Sequence, residues 1–157
     1  MKITDLATNR FLALTCRILI GTLFIYASVD KILHPVSFAH TFANYAIMPD
    51  AFTPLVAIFV PWFELIAGTM FIIGFRTRST AIALILLLSA FLVGITVNLV
   101  RGADMDCGCF EFFGIPERLS ISTFLRDVLF IALTLPPFFA PRQAFAIDSR
   151  IEKGKQQ

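Results

Sequence analysis

The chain has 157 residues, of which 57% are hydrophobic and 15% are charged, with 18 phenylalanines and a formal net charge of +2. A water-soluble domain of this length cannot hide that much apolar surface, so the composition excludes an ordinary soluble globular protein. The small net charge and the absence of a basic cluster give no basis for nucleic-acid binding.

Four apolar stretches are each long enough to cross a hydrocarbon core about 30 Å thick, which takes roughly 20 helical residues. Breaker residues, among them Pro35, Gly74 and Gly102, separate them. The first stretch is longer than a signal-peptide core and no small-x-small site follows it cleanly, so we interpret it as an uncleaved span. In chain order the stretches cover residues 11–29, 54–73, 80–100 and 121–140.

These stretches predict an all-α integral membrane four-helix bundle over residues 11–140, flanked by an N-terminal segment 1–10 and a basic tail 141–157. Between the first two spans, Phe38, Phe42 and Tyr45 recur at helical spacing. This pattern predicts a short interfacial helix over residues 36–48, which either covers the second outward loop or anchors the first one.

The distribution of Lys and Arg predicts the orientation, because cytoplasmic segments retain positive charge. Both termini are therefore expected in the cytoplasm, and loops 30–53 and 101–120 are expected to face the periplasm of a bacterial inner membrane. On one side of a four-span topology lie Lys2, Arg10, Arg76, Arg78, Arg142, Arg150, Lys153 and Lys155, and on the other lie Lys31, Arg101 and Arg118.

The most informative polar feature is Cys107-Gly108-Cys109, in the second outward loop. Residues two apart in an extended chain lie about 6.6 Å from each other, at the upper edge of the disulfide range. Gly108 bends cheaply, so a disulfide is feasible but strained. Such a bond is easy to reduce and closes almost no chain, so it adds little stability. We therefore interpret Cys107 and Cys109 as a redox-active pair.

Charged neighbours act on these thiols in opposite directions. Asp106 disfavours a thiolate at Cys107, whereas Arg101 favours one if it folds back. Cys109, followed by Phe110, is one residue further from Asp106, so we expect it to be the attacking thiol.

A metal site is the competing interpretation of the two cysteines, with His34 and His40 as further candidate ligands. Structural zinc sites commonly have two to four residues between paired cysteines, and here there is one, so we expect no metal. Cys16, within the first span, is expected to be a small apolar packing residue.

The run Asp106-Cys107-Gly108-Cys109-Phe110, preceded by Arg101-Gly102, resembles the loop of the DoxX-like membrane proteins, and most closely that of the MauE family of methylamine utilisation proteins. Asp30-Lys31, Pro35 and Tyr45 in the first loop agree with it, and the resemblance covers about residues 11–140. It implies a four-helix bundle that works with a thioredoxin-like exported protein on a cysteine-containing exported client, such as a dehydrogenase subunit.

Three charged residues lie deep inside the predicted spans. Glu64 is about 15 Å into the second span, and Arg126 and Asp127 lie roughly 9 to 11 Å below the outer surface in the fourth. Charges at such depths normally face the bundle interior in pairs. We expect Arg126 to pair with Glu64, and Asp127 to reach toward Lys31 or Arg101. Such pairs either join helices or make Glu64 or Asp127 a proton relay.

Aromatic residues bring one cofactor into consideration, a quinone in a slot opened by a kink at Pro61. Packing or interface roles are the alternative. The residues concerned are Phe59, Trp62, Phe63 and Phe71 in the second span and Phe110, Phe112 and Phe113 near the cysteines.

Three hypotheses on function remain at this point. The first is a thiol-disulfide redox protein of the membrane, coupled or not to the quinone pool. The second is a non-catalytic membrane partner in the assembly of a maturation complex. The third is a metal or small-solute carrier that uses Cys107 and Cys109 as ligands.

Overall fold

The computed structural model describes residues 10–46, 49–102 and 120–139, and all regular structure in these ranges is helical. Four long helices and one short helix occur in chain order. They are α1 (Arg10–Leu33), α2 (Pro35–Asn44), α3 (Thr53–Ile73), α4 (Thr77–Val100) and α5 (Ile121–Phe139), with a 3₁₀ turn at Asp50–Phe52 before α3. The prediction of four spans and a short helix between the first two is confirmed.

The four long helices are sufficiently long and apolar to cross a membrane. They contain 24, 21, 24 and 19 residues, or roughly 28 to 36 Å of helix. The main departure from the sequence prediction lies at the end of α1. This helix continues to Leu33, so Asp30 and Lys31 belong to it and not to the following loop. It stops there because the residue before a proline disfavours helical geometry, and Pro35 occupies the first turn of α2.

Glycines end two of the long helices as the sequence predicts. Gly74 has a left-handed φ of 74°, and its N–H bonds to the carbonyls of Met70 and Phe71. Phe75 N–H also bonds to the Met70 carbonyl at 3.1 Å, which closes the helix in the manner of a Schellman motif. Gly102, with a φ of 68°, follows α4 in the same way. These turns confine the membrane segments to their observed lengths.

Helices α1 and α3 pack most extensively against each other, and α4 packs mainly against α5. At the crossing of α1 and α3, Gly21 and Gly68 bring the two backbones together. A Cβ atom at Gly21 would lie 2.9 Å from the Gly68 carbonyl oxygen and 2.4 Å from Ile72 Cγ1. Small residues at such a crossing allow the close approach on which helix association in membranes depends.

The apolar residues fall into two groups, one in the buried core and one on the outer faces of the bundle. The core includes Ile20, Phe24, Phe71, Leu84, Leu88 and Ile95, all 0 or 1% exposed. Many other large apolar side chains point outward, as expected where lipid replaces water around a bundle. Examples on the outer face of α3 are Leu55, Ile58, Phe59, Trp62 and Ile66.

We predict that Gly21→Leu lowers the thermal unfolding temperature of the protein in detergent or nanodiscs. The added side chain meets backbone at Gly68, and overpacking of this kind costs roughly 1 to 3 kcal/mol. The matched control is Ala132→Leu, because Ala132 is exposed on α5. Equal melting temperatures for the two variants would contradict the close crossing of α1 and α3.

Candidate functional site

The polar centre of the bundle is an ion pair between α1 and α3. Lys31 Nζ donates to both carboxylate oxygens of Glu64, at 2.8 Å to Oε1 and 2.8 Å to Oε2. The two side chains are 5% and 1% exposed. A charge at this depth is costly when alone, so each residue supplies the counter-charge that makes burial of the other tolerable.

Helix direction explains how these two residues meet. Lys31 lies in the last turn of α1, whereas Glu64 lies about 16 Å from the start of α3. Side chains on a helix lean toward its N-terminus. Because α1 and α3 cross the bundle in opposite directions, Lys31 leans into the bundle and Glu64 leans toward the end at which α1 finishes. The two long side chains therefore bridge the difference in depth between the Cα atoms of Lys31 and Glu64.

Two aromatic rings complete the surroundings of the Lys31 ammonium. Its Nζ lies 5.2 Å from the ring centroid of Phe38 and 5.1 Å from that of Phe91, both within cation–π range. Phe38 comes from α2 and Phe91 from α4. One ammonium group of α1 thus contacts side chains from three other helices.

The short helix α2 turns its aromatic face toward the bundle, not toward the membrane surface. Phe38 is 6% exposed, and Tyr45, directly after the helix, is 4% exposed. Asn98 near the end of α4 donates from Nδ2 to the Tyr45 carbonyl at 3.0 Å and to the Gly94 carbonyl at 3.0 Å. This bond ties the end of α2 to the end of α4, beside Ala46, whose φ of 47° is uncommon for a residue other than glycine.

The two deep charges of α5 contact each other. Arg126 donates from Nε and Nη2 to Asp127 Oδ1, at 3.2 and 3.1 Å. Asp127 is fully buried, and the Arg126 guanidinium lies 5.8 Å from the ring centroid of Phe130. Adjacent residues point about 100° apart on a helix, but the arginine side chain is long enough to fold back onto its neighbour.

The expected pairing of Glu64 with Arg126 is wrong, because Lys31 binds Glu64. Asp127, which was expected to reach toward Lys31 or Arg101, accepts hydrogen bonds from Arg126. Arg101 instead lies exposed in the turn after α4. The error follows from the assignment of Lys31 to a loop, which left Arg126 as the apparent partner of Glu64.

Sequence reasoning also missed other buried polar residues, although their spacing contained the signal. Arg17 is 1% exposed and Asn98 is 2% exposed. Along α1 the buried positions recur at intervals of three and four, as on one face of a helix. Lys31 continues this series of buried positions, so the periodicity of α1 was a signal that Lys31 faces the inside of the bundle. The buried residues of α1 are Ala13, Cys16, Arg17, Ile20, Gly21, Phe24, Ala27, Ser28 and Lys31.

The four aromatic residues of α3 that were considered for a slot do not share one face of the helix. Phe59, Trp62 and Phe63 are 68%, 53% and 47% exposed, whereas Phe71 is fully buried on another face. Pro61 is accommodated inside a continuous helix that runs from Thr53 to Ile73. Phe71 therefore does not line a slot with the other three, and Phe110, Phe112 and Phe113 lie outside the described residues.

Several predicted site residues lie outside the described residues. They are Cys107, Cys109, Asp106 and Phe110, together with the tail 141–157. Cys16 is a buried free thiol among core residues, which agrees with its predicted packing role. In the described ranges no three His, Cys, Asp or Glu side chains lie close enough to hold a metal ion. His34 is near Asp30, at 3.4 Å between Nδ1 and Oδ1.

Comparison with known proteins identifies the family of this arrangement. Residues 9–140 match the family model described as methylamine utilisation protein MauE. The chain belongs to the MauE family. None of the solved structures matches it at a significant level.

Three curated members of the family match 60 to 76% of this chain in sequence. It is 29% identical over 120 residues to the methylamine utilization protein MauE of Paracoccus denitrificans, and 30% identical over 120 residues to that of Paracoccus versutus. Each match covers 76% of this chain and 64% of the relative. A third, from Methylorubrum extorquens, is 28% identical and covers 60% of this chain and 50% of the relative. The matched part thus spans about two thirds of the Paracoccus proteins.

The ion pair predicts strong coupling between Lys31 and Glu64. Lys31→Met or Glu64→Gln alone should each destabilise the protein by about 3 to 5 kcal/mol, because a lone charge or its orphaned partner stays buried. The double variant should cost less than the sum of the two. Thermal unfolding in nanodiscs measures all three.

The matched control is the same cycle with Glu64→Gln and Arg126→Gln, which share no contact in the structure. Distant substitutions add within roughly 0.5 kcal/mol. Coupling in the control cycle, with additivity between Lys31 and Glu64, would contradict the observed pairing.

Proposed function

We propose that this chain is a membrane thiol-disulfide redox protein of methylamine utilisation. Cys107 and Cys109 exchange disulfides with a thioredoxin-like exported protein, and the client is a cysteine-containing exported protein, such as a subunit of a methylamine-dehydrogenase-like enzyme. Membership of the MauE family supports the setting, since the family and the curated relatives are described as methylamine utilisation proteins. The observation that carries the chemistry is the Cys107-Gly108-Cys109 motif.

The architecture around the ends of the cysteine loop supports this proposal. The loop leaves the bundle just after Gly102 and returns to it at Ser120, and Cys107 follows Gly102 by five residues. Asn98, one turn before Gly102, is bonded to the Tyr45 carbonyl at the end of α2. The loop therefore starts from a point that is braced against α2, which in turn is held by Phe38 over the Lys31 ammonium. A braced starting point favours reproducible docking of a protein partner.

The geometry of the ion pair favours a structural role for Glu64 over a proton relay. Both carboxylate oxygens accept from the same Lys31 ammonium at 2.8 Å, and Glu64 is 1% exposed. We therefore assign the Lys31–Glu64 pair to the support of the site, and the redox chemistry to the cysteines.

The proposed location is the bacterial inner membrane, with the cysteine loop in the periplasm. The distribution of Lys and Arg supports this orientation, and the periplasm is oxidising, so a disulfide persists there. The same orientation brings the cysteines to the compartment in which an exported client folds.

Cysteine labelling in intact cells tests the orientation. In a background with Cys16, Cys107 and Cys109 replaced by serine, we expect Ser37→Cys to react with a membrane-impermeant thiol reagent. Ser79→Cys should react only after the membrane is opened. Both serines are exposed, and they lie in α2 and in the first turn of α4, at opposite ends of the bundle. The reverse pattern would refute the proposed orientation.

Trapping of a mixed disulfide tests the redox chemistry. The attacking sulfur forms the mixed bond and the second sulfur resolves it. Because Asp106 disfavours a thiolate at its neighbour Cys107, we expect Cys109 to attack. Cys107→Ser should therefore accumulate a disulfide-linked complex with a thioredoxin-like protein or client. On a gel, the band of this complex should disappear after treatment with a reductant. Cys109→Ser should not accumulate it.

Cys16→Ser is the control for this experiment, since Cys16 is buried in α1. Trapping in Cys109→Ser alone would reverse the roles of the two thiols and retain the chemistry. Full client maturation in both single variants, without a trapped complex, would replace the redox proposal with that of a non-catalytic assembly partner.

A further inference from the structure

An apolar groove runs between α2 and the beginning of α3, on the side of α2 opposite to its aromatic face. Its volume is about 420 Å³. Small side chains leave this space open: Ala39 and Ala43 lie on the α2 wall and Ala57 on the α3 wall. Proline rings from the first turn of each helix, Pro35 and Pro54, also line it.

Two polar side chains line this groove, one on each wall. His40 lies on the α2 wall and Thr53 on the α3 wall. Thr53 is 7% exposed, whereas His40 is exposed at the mouth of the groove. Neither side chain has a hydrogen bond or an ion pair with the rest of the chain. A buried Thr side chain normally has a partner, so the groove offers a ligand two uncommitted polar groups, the Thr53 hydroxyl and the exposed His40 ring.

The lining also restricts the charge of that ligand. Among the described residues, the lining contains no Lys, Arg, Asp or Glu. The Lys31 ammonium is occupied by Glu64 and by the rings of Phe38 and Phe91, so it is not available to an anionic head group. A phospholipid phosphate therefore finds no permanently charged partner among the described lining residues. The groove matches a neutral, apolar and flat molecule with two hydrogen-bond acceptors.

We propose that this groove binds a membrane quinone, whose two ring carbonyls accept hydrogen bonds from His40 and Thr53. The inference extends the proposed thiol chemistry to its electron acceptor. Oxidation of two thiols to a disulfide releases two electrons and two protons, and the same numbers convert a quinone into a quinol. The small side chains of both walls admit the ring, and the quinone tail extends along the outer surface beside Ile58.

The chain contains a built-in reporter for this site. Trp62 is the only tryptophan in the sequence. It is 53% exposed and lies one helical turn after Ile58, which lines the groove. Because a quinone quenches indole fluorescence at short range, occupation of the groove should reduce the emission of Trp62.

The test is a titration of the full-length protein in phosphatidylcholine nanodiscs with decylubiquinone, followed by Trp62 fluorescence. We expect saturable quenching. Ala39→Phe, which fills the groove, should raise the apparent Kd at least tenfold. Thr53→Val, which keeps the shape and removes the hydroxyl, should raise it about three- to tenfold, as expected for one neutral hydrogen bond. Ala132→Phe on the exposed face of α5 is the matched control and should leave the Kd unchanged.

Two outcomes would overturn the quinone site. Equal quenching in all variants would mean that the quinone only partitions into the bilayer. Equal displacement of decylubiquinone by decylbenzene, which lacks carbonyls, would mean that the groove takes any apolar chain.

Repeating the titration in the Cys107→Ser/Cys109→Ser background separates this inference from the proposed function. Binding there, combined with no trapped complex in the single cysteine variants, would retain the site and refute the thiol chemistry. No binding, combined with a trapped complex, would refute the site alone.

Discussion

The arrangement of this bundle depends on one buried ammonium group. Lys31 Nζ is bound by Glu64 of α3 and faces the rings of Phe38 from α2 and Phe91 from α4. An unpaired charge at this depth is costly, so the helices must be positioned to surround it. In a membrane the hydrophobic effect does not drive helices together, because lipid is as apolar as the side chains. A directional polar contact of this kind therefore has more influence on helix placement than it would in a soluble protein.

Close backbone packing complements this contact. Gly21 and Gly68 allow α1 and α3 to approach at their crossing, and the ion pair lies in the same helix pair, nearer to the end that bears α2. The crossing fixes the separation of the two helices, and the ion pair fixes their rotation and relative depth. Large apolar side chains then occupy the outer faces, where lipid accepts them without a specific partner.

The proposed function divides its roles between the bundle and the loop that follows α4. The described bundle contains charged residues that are matched internally, as Lys31 with Glu64 and Arg126 with Asp127. The cysteine pair occurs in a polar segment whose starting point is held by Asn98. This division fits a protein in which a rigid membrane part presents a reactive segment to a partner. The groove between α2 and α3 is the proposed point of exchange with the lipid phase, and α2 lines it while its aromatic face packs on the bundle.

The four spans, the short helix and the cysteine motif were accessible from the sequence because each is a local property. Span length and apolar content, breakers such as Pro35 and Gly74, and the spacing of Cys107 and Cys109 are all read within a short window. The partner of Glu64 was not accessible in that way. Lys31 and Glu64 are 33 residues apart, and depth estimates alone made Arg126 an equally reasonable partner. Likewise, the aromatic residues of α3 suggested one slot, but they face different sides of the helix. Only the tertiary structure decided these points, because the rotation of each helix and the direction in which long side chains lean depend on packing against all of its neighbours.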